Sequence, residues 1–303
     1  MNARHFADFS DGVLEAIGAR VVMPGKTLLQ DASARFMAGQ VTAILGPNGA
    51  GKSTLLSLLT GQRAPGSGLV RLGGLPLAAH TRESLARTRA CVAQETQVAF
   101  DFTVQEVVDL GRYPHRRRPS PQERGIVRQA MQATAVDHLA HRALNTLSGG
   151  EKARAHLARA LAQVWEPMDG QRWLLLDEPT AALDLQHQHR MLQLVRDWAL
   201  GQGVGVVAVL HDLNLALRYS DRCLVLQDRR VFASGVSSEV LTPACIAQVW
   251  GVQAHVASAG GGAQRGLQYV FEPGDAQHAI QDVTDSQTRV QPLCGRREQL
   301  SKI

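Results

Sequence analysis

Short apolar runs alternate with longer amphipathic segments over most of the chain. Four runs are almost wholly apolar and are bounded by polar residues or glycine. They lie at residues 41–45, 173–176, 204–210 and 222–226. Such runs are typical of parallel strands that are buried on both faces of a sheet. Residues 53–59 and 151–164 instead carry apolar side chains at helical spacing. This alternation predicts an α/β fold in which helices cover both faces of the sheet.

Two further regions extend this plan. Residues 14–23 and 33–36 have strand patterns on the two sides of the turn at Pro24-Gly25, which predicts an antiparallel patch near the N-terminus. Between about residues 98 and 158 the apolar positions recur at helical spacing, for example in 122–134, which predicts an inserted helical lobe.

The domain organisation follows from where this pattern stops. Residues 1–273 are predicted to form one domain. Beyond Pro273 the chain turns polar and shows no core pattern, so we expect residues 274–303 to form a flexible or loosely docked tail.

Composition adds two limits. The chain has 303 residues, of which 45% are hydrophobic and 19% charged, as in an ordinary soluble globular protein. The net charge of +5 is too small to indicate a nucleic-acid partner, although it suits a protein that works beside an anionic membrane face. No apolar run approaches the roughly 20 residues of a membrane helix. We therefore expect that the chain does not cross a bilayer on its own.

The run at 41–45 leads into a glycine-rich loop with the pattern G-x-x-x-x-G-K-S. Glycines let backbone N–H groups turn towards a phosphate, and the following helix start adds its own donors. The lysine places a charge on the β- and γ-phosphates, and the serine hydroxyl can bind Mg²⁺. The predicted nucleotide-binding residues of this loop are Gly46, Pro47, Asn48, Gly49, Ala50, Gly51, Lys52, Ser53 and Thr54.

Two carboxylates close the apolar run at 173–176. A buried strand that ends in Asp177 and Glu178 is costly unless a cation or metal lies nearby. Mg²⁺ on the phosphates is such a partner. We expect Asp177 to orient the metal through its water shell and Glu178 to act as general base on the attacking water.

The segment Ser148-Gly149-Gly150-Glu151 precedes the helical pattern at 151–164. As S-x-x-E it matches a capping box, which is common at helix starts of any function. The two glycines also allow a phosphate to approach the helix N-terminus closely, and the phosphate would then come from an opposite subunit.

Other candidate residues follow apolar runs of the predicted sheet. Gln94 follows a strand pattern at 89–93, and His211 follows the run at 204–210. Because ligands of open α/β sheets bind at the carboxyl ends of the strands, Gly46, Gln94, Asp177 and His211 are expected to converge there.

Together these residues and motifs resemble the ATP-binding subunits of ABC transporters, over about residues 14–273. The resemblance implies a phosphate-loop NTPase (RecA-like) fold with a mixed sheet core, and ATP and Mg²⁺ as ligands. It further implies a head-to-tail homodimer in which Ser148, Gly149, Gly150 and Glu151 contact the ATP of the opposite subunit. Asp184 would couple the two sites, His211 would sense the γ-phosphate, and Gln94 would link the metal to the permease.

Finer features resemble the haemin-import ATP-binding proteins of Gram-negative bacteria. The segment 102–115 resembles importers of iron chelates, haem and cobalamin in general, whereas the long loop at 165–173 and the segments 157–163 and 183–188 resemble the haem importers in particular. The resemblance implies two transmembrane permease subunits, a periplasmic haem-binding protein reached through them, and a peripheral location at the cytoplasmic face of the inner membrane. A ferric-siderophore or cobalamin importer, and more distantly a soluble ABC ATPase outside transport, stay open as alternatives.

The chain departs from the family pattern at two places. Lys152 and Ala153 stand where two glutamines are usual, and Val22, Met23 and Pro24 stand where an aromatic residue usually stacks on adenine. We therefore expect adenine to rest on an aliphatic surface.

Overall fold

A computed structural model describes residues 12–93, 101–167, 171–258 and 267–273. Gln94 and the predicted tail at 274–303 lie outside these residues, as does the N-terminal segment 1–11. The predicted division into a domain at 1–273 and a tail therefore stays a prediction.

Twelve strands are found in the described part of the chain. In chain order they are β1 (Val13–Met23), β2 (Lys26–Met37), β3 (Val41–Leu45), β4 (Ser67–Leu72), β5 (Leu75–Pro76), β6 (Arg89–Val92), β7 (Trp173–Asp177), β8 (Gly205–Val209), β9 (Arg222–Gln227), β10 (Arg230–Val236), β11 (Val252–Ser258) and β12 (Leu267–Pro273). The α-helices are α1 (Lys52–Leu59), α2 (Arg82–Thr88), α3 (Val104–Asp109), α4 (Glu123–Ala133), α5 (Gly149–Gln163), α6 (Leu185–Gln202), α7 (Leu213–Tyr219), α8 (Ser237–Val240) and α9 (Pro243–Trp250).

The central sheet has the order β10-β9-β3-β8-β7-β6. Five of its strands run parallel to one another, namely β9, β3, β8, β7 and β6. The sixth strand, β10, pairs antiparallel with β9 at the edge. All four apolar runs of the sequence are strands of this sheet, so the predicted mixed α/β core is confirmed. Its parallel strands end on one edge, where the chemistry-bearing residues gather.

A second sheet confirms the predicted antiparallel patch. Its order is β2-β1-β4-β5, and β1 pairs with β2 across the predicted Pro24-Gly25 turn. The second strand is longer than its sequence pattern predicted, because residues 26–32 pair with β1 although their apolar alternation is weak. A third sheet consists of β11 and β12.

The central sheet separates two hydrophobic cores. On β3, Val41, Ala43 and Leu45 face one core and Ile44 faces the other. The first core joins the sheet to α3–α7 and α9, and the second joins it to α1 and the antiparallel sheet. Burial on both faces explains why these strands read as continuous apolar runs rather than as alternating ones.

The predicted helices at 53–59, 122–134 and 151–164 are confirmed as α1, α4 and α5 with ends that shift by one or two residues. Within the predicted helical lobe, Asp137–Leu139 form a short 3-10 turn. No helix in the described ranges is long and apolar enough to cross a membrane.

Arg172 ties two helix ends to the start of β7. Its Nη1 donates to the carbonyl oxygens of Val164 (3.0 Å) and Trp165 (2.6 Å), and its Nη2 donates to that of Gln202 (2.7 Å). Cations at helix C-termini satisfy carbonyls that have no partner within the helix. This guanidinium therefore fixes α5 and α6 relative to the strand that carries Asp177.

His156 on α5 is a buried histidine, only 6% exposed, whose two ring nitrogens have no hydrogen-bond partner among the described residues. Burial, and then the positive charges of Arg159 and Lys152, lower the pKa of His156 from 6.5 to about 4. In the unfolded chain the imidazole binds a proton at higher pH than in the folded chain. His156 therefore costs no stability above pH 6.5, and stability is lost as the pH falls towards 4.

We expect His156→Leu to make the protein less sensitive to acid. Between pH 7 and pH 5 the wild type should lose about 2 kcal/mol of unfolding free energy through this group, at 1.36 kcal/mol per pKa unit. Urea unfolding at the two pH values measures the difference. His138→Leu is the control because His138 is exposed; an equal pH response in wild type and His156→Leu would contradict the prediction.

Candidate functional site

The glycine loop lies between β3 and α1 and depends on close backbone contacts. A Cβ atom on Gly46 would lie 2.2 Å from the carbonyl oxygen of Leu226, and one on Gly51 would lie 3.0 Å from that of Leu28. Gly51 is the N-cap of α1 with φ 100, so no side chain there occupies the N–H groups of the first turn. Ala50 is buried beneath the loop, whereas Asn48 and Gly49 are exposed. Free N–H groups at a helix start bind anions.

Lys52 crosses the inside of the loop. Its Nζ donates to the carbonyl oxygens of Gly46 (2.8 Å) and Pro47 (3.0 Å). Burial lowers the pKa of Lys52, and the negative charges of Glu178 and Asp177 oppose that shift. The loop carbonyls therefore hold the ammonium in place close to the two carboxylates. The negative charge of these carboxylates offsets only part of the cost of burying the ammonium.

Asp177 ends β7 beside the loop. The Ser53 hydroxyl donates to Asp177 Oδ1 at 3.3 Å. Burial raises the pKa of Asp177, which shows that its carboxylate lacks full compensation for lost hydration. A hydroxyl and a carboxylate are hard oxygen donors of the type that Mg²⁺ prefers, so these two residues fit that ion.

Glu178 pairs with the predicted histidine. His211 Nε2 lies 2.7 Å from Glu178 Oε1. Glu178 has φ 50, in the left-handed region that a residue with a side chain rarely adopts. This backbone turns the carboxylate away from the line of β7 and towards His211, which follows β8.

Lys52, Ser53 and Glu178 border one cavity of about 220 Å³. It is lined by Lys26, Leu28, Asn48, Gly49, Gly51, Lys52, Ser53, Thr54, Glu178 and Arg229. Lys26, Leu28 and Arg229 were not predicted from sequence, because they come from β2 and from the β9–β10 turn, which no motif connects with the loop. The only signal in the sequence was that Lys26 and Arg229 are cationic.

The Ser148–Glu151 segment begins α5 as a capping box. Glu151 Oε2 accepts from the backbone N–H and the hydroxyl of Ser148, each at 2.8 Å, and the Glu151 N–H donates to Ser148 Oγ at 3.3 Å. The two hydrogen bonds that Ser148 donates to the Glu151 carboxylate lower the pKa of Glu151. Ser148 and Gly149 are exposed, and no residue of the segment lines the loop cavity of its own chain as described. Both the capping interpretation and an approach by an outside ligand are compatible with this placement.

Asp184 is the N-cap of α6. Its Oδ1 accepts from the backbone N–H of His187 and lies 2.8 Å from His187 Nδ1 as well. The hydrogen bond from the His187 backbone lowers the pKa of Asp184 most. Asp184 is 67% exposed, so it also faces outward from the chain. Gln94 lies outside the described residues, and its predicted place at the strand ends stays a prediction.

The loop, its buried lysine and the carboxylate-ended strand define a phosphate-loop nucleotide-binding fold. The sequence pattern of the family described as "ABC transporter" matches residues 29–181. The hemin import ATP-binding protein HmuV of Gloeobacter violaceus is 48% identical over 80% of this chain and 88% of its own. The chain therefore belongs to the ABC transporter family, as its motifs predicted.

Two solved structures share the fold. A metal-chelate type ABC transporter in an inward-facing conformation aligns with a TM-score of 0.72 and 26% identity, over 86% of this chain and 98% of its own. A dimeric ATP-binding cassette in a post-hydrolysis state with ADP and Pi aligns with a TM-score of 0.65 and 26% identity, over 74% of this chain and 98% of its own.

We expect Gly46→Ala to unfold the loop while Gly49→Ala is tolerated. Both glycines have positive φ, so backbone strain is common to the two variants, but a Cβ on Gly49 meets nothing within 4 Å. Gly46→Ala should lower the unfolding free energy by about 3 kcal/mol or more, and Gly49→Ala by about 1 kcal/mol. Urea unfolding monitored by tryptophan fluorescence measures both. Equal losses in the two variants would show that the contact with Leu226 is not limiting.

Proposed function

We propose that the chain is the ATP-hydrolysing subunit of an ABC import complex that takes up haemin across the inner membrane. The observation that carries the ATPase assignment is the meeting of Lys52, Asp177 and the Glu178–His211 pair beside the phosphate loop. The cargo rests on the similarity to hemin import ATP-binding proteins.

Nucleotide binding is assigned to the loop from Gly46 to Thr54. The N–H groups at the start of α1 and the Lys52 ammonium would hold the triphosphate oxygens. Because burial disfavours the charged forms of both Lys52 and Asp177, bound phosphate and cation would complete the charge balance of the site.

Mg²⁺ would be held by Ser53 and, through water, by Asp177, with Gln94 as a further ligand. When bound, it supplies positive charge to the β- and γ-phosphates. The contact between Ser53 Oγ and Asp177 Oδ1 supports this assignment, because it brings the two oxygens to within 3.3 Å of each other.

Hydrolysis is assigned to Glu178 as the general base that takes a proton from the attacking water. His211 lies 2.7 Å from its carboxylate and would hold that group in orientation while its ring senses the γ-phosphate. The unusual φ of Glu178 fits this role, since strained backbone is concentrated at functional sites.

Dimerisation would complete each site. The exposed start of α5, Ser148 to Glu151, would contact the ATP held by the phosphate loop of a second copy, and Asp184 would couple the two sites. The dimeric state of a solved ABC cassette of the same fold supports this arrangement.

The complex would contain two ATP-binding subunits and two transmembrane permease subunits, with a periplasmic haem-binding protein delivering cargo to the permease. The chain would lie at the cytoplasmic face of the inner membrane as a peripheral subunit. A ferric-siderophore or cobalamin importer is the alternative, which the similarity to a metal-chelate type transporter also favours.

We expect Glu178→Gln to keep ATP binding and lose turnover, because an amide cannot accept the proton. The loss should be about 10²-fold or more, the usual scale of general-base catalysis. Phosphate release measures turnover, and light scattering with Mg²⁺ and ATP should show a persistent dimer. Glu239→Gln, at an exposed position of α8, is the matched control and should retain activity. Wild-type turnover by Glu178→Gln would remove Glu178 as the base.

We expect haem-loaded binding protein to stimulate ATP hydrolysis by the complex reconstituted with its permease in liposomes. The physical reason is that docking of the loaded protein favours the conformation in which the two ATP sites close. Binding proteins loaded with ferric siderophore or cobalamin are the controls. Stimulation by one of these and none by haem would select the alternative importer.

A further inference from the structure

The tight turn between β9 and β10 contains an arginine in a strained conformation. Asp228 and Arg229 have φ values of 48 and 65, and the turn is closed by the pairing of Gln227 with Arg230. A two-residue hairpin turn with positive φ at both positions strongly favours glycine at the second, where a side chain is unfavourable. Arg229 occupies that second position. Since a strained residue is a reason to look for a function, its side chain needs an explanation.

The backbone of Arg229 is fixed beside the phosphate loop. The backbone N–H of Gln30, on β2, donates to the carbonyl oxygen of Arg229 at 2.8 Å. A Cβ built on Gly51 would lie 3.8 Å from Arg229 Cα. The turn is thus held next to the N-cap of α1, at the point where the loop offers its backbone donors.

Arg229 and Lys26 both line the phosphate-loop cavity, Lys26 from the start of β2. Both residues are exposed, so their charged groups are accessible to a ligand in the cavity. The two cations add to Lys52 on a cavity that already presents the N–H groups of a helix start. A guanidinium binds phosphate oxygens through two parallel hydrogen bonds, which makes an anionic polyphosphate the matching ligand.

We propose that Arg229 is a nucleotide-binding residue that contacts the polyphosphate of the bound nucleotide, with Lys26 as a second, weaker cation. The inference rests on the proposed function, because it adds a contact to the same ATP site. The energetic cost of an arginine in a turn that suits glycine is then balanced by affinity for the ligand. The nucleotide gains a cationic anchor from the β9–β10 turn.

The test compares Arg229→Gly with wild type in titration calorimetry, using ATP, GTP and inorganic tripolyphosphate as ligands. Arg229→Gly should weaken all three by about fivefold to tenfold, the scale of one exposed charged contact to phosphate. Its thermal midpoint should be equal or higher, because glycine relieves the strained φ. Arg229→Lys should recover part of the affinity. Arg230→Ala is the matched control: it removes the same charge one residue further on, outside the cavity lining, and should change affinity by less than about twofold.

Three results would overturn the inference. Unchanged affinity of Arg229→Gly beside a wild type that binds ATP would refute the contact and leave the proposed function intact. An equal loss of affinity in Arg230→Ala would show that the effect comes from the general positive charge of the turn and not from a contact by Arg229. A loss for ATP that is absent for tripolyphosphate would assign Arg229 to the base instead of the phosphates. A wild type that binds none of the three ligands would refute the proposed function itself.

Discussion

The site depends on two charged groups, Lys52 and Asp177, which lie near the carboxyl ends of parallel strands. Neighbouring charges and hydrogen bonds offset only part of the free-energy cost of burying them. Lys52 is buried inside its loop, and Asp177 is partly buried at the end of β7. Burial lowers the pKa of Lys52 and raises the pKa of Asp177, so it favours the neutral form of each group. The fold holds both in place with backbone carbonyls and the Ser53 hydroxyl. Such a site favours a ligand that brings both negative charge and a cation, because that ligand satisfies both groups at once.

The rest of the fold keeps this edge of the sheet in position. The close approach of Gly46 to the Leu226 carbonyl fixes the start of the loop against β9. Arg172 binds the carbonyl ends of α5 and α6 where β7 begins, so the helix that carries Ser148 and the helix capped by Asp184 are both tied to the strand of Asp177.

Local patterns predicted much of this architecture because the signals are strong and short-range. The fully apolar strands, the Pro24-Gly25 turn and helices α1, α4 and α5 were predicted with shifts of only a few residues. Sequence reasoning did not predict α7 or β10, nor the β11–β12 sheet. These elements mix polar and apolar residues, and they are stabilised by tertiary contacts such as the two hydrogen bonds between Asn214 and the backbone of Tyr269.

The sequence by itself determined the class of site, because a glycine loop, its lysine and a carboxylate pair each need specific residue types at fixed spacing. Only the tertiary structure decided which distant side chains share that site. It brought His211 to within 2.7 Å of Glu178, and it placed Lys26 and Arg229 on the cavity although no motif marks them. The physical reason is that strand order and turn geometry, which set these contacts, arise from packing between segments far apart in the chain.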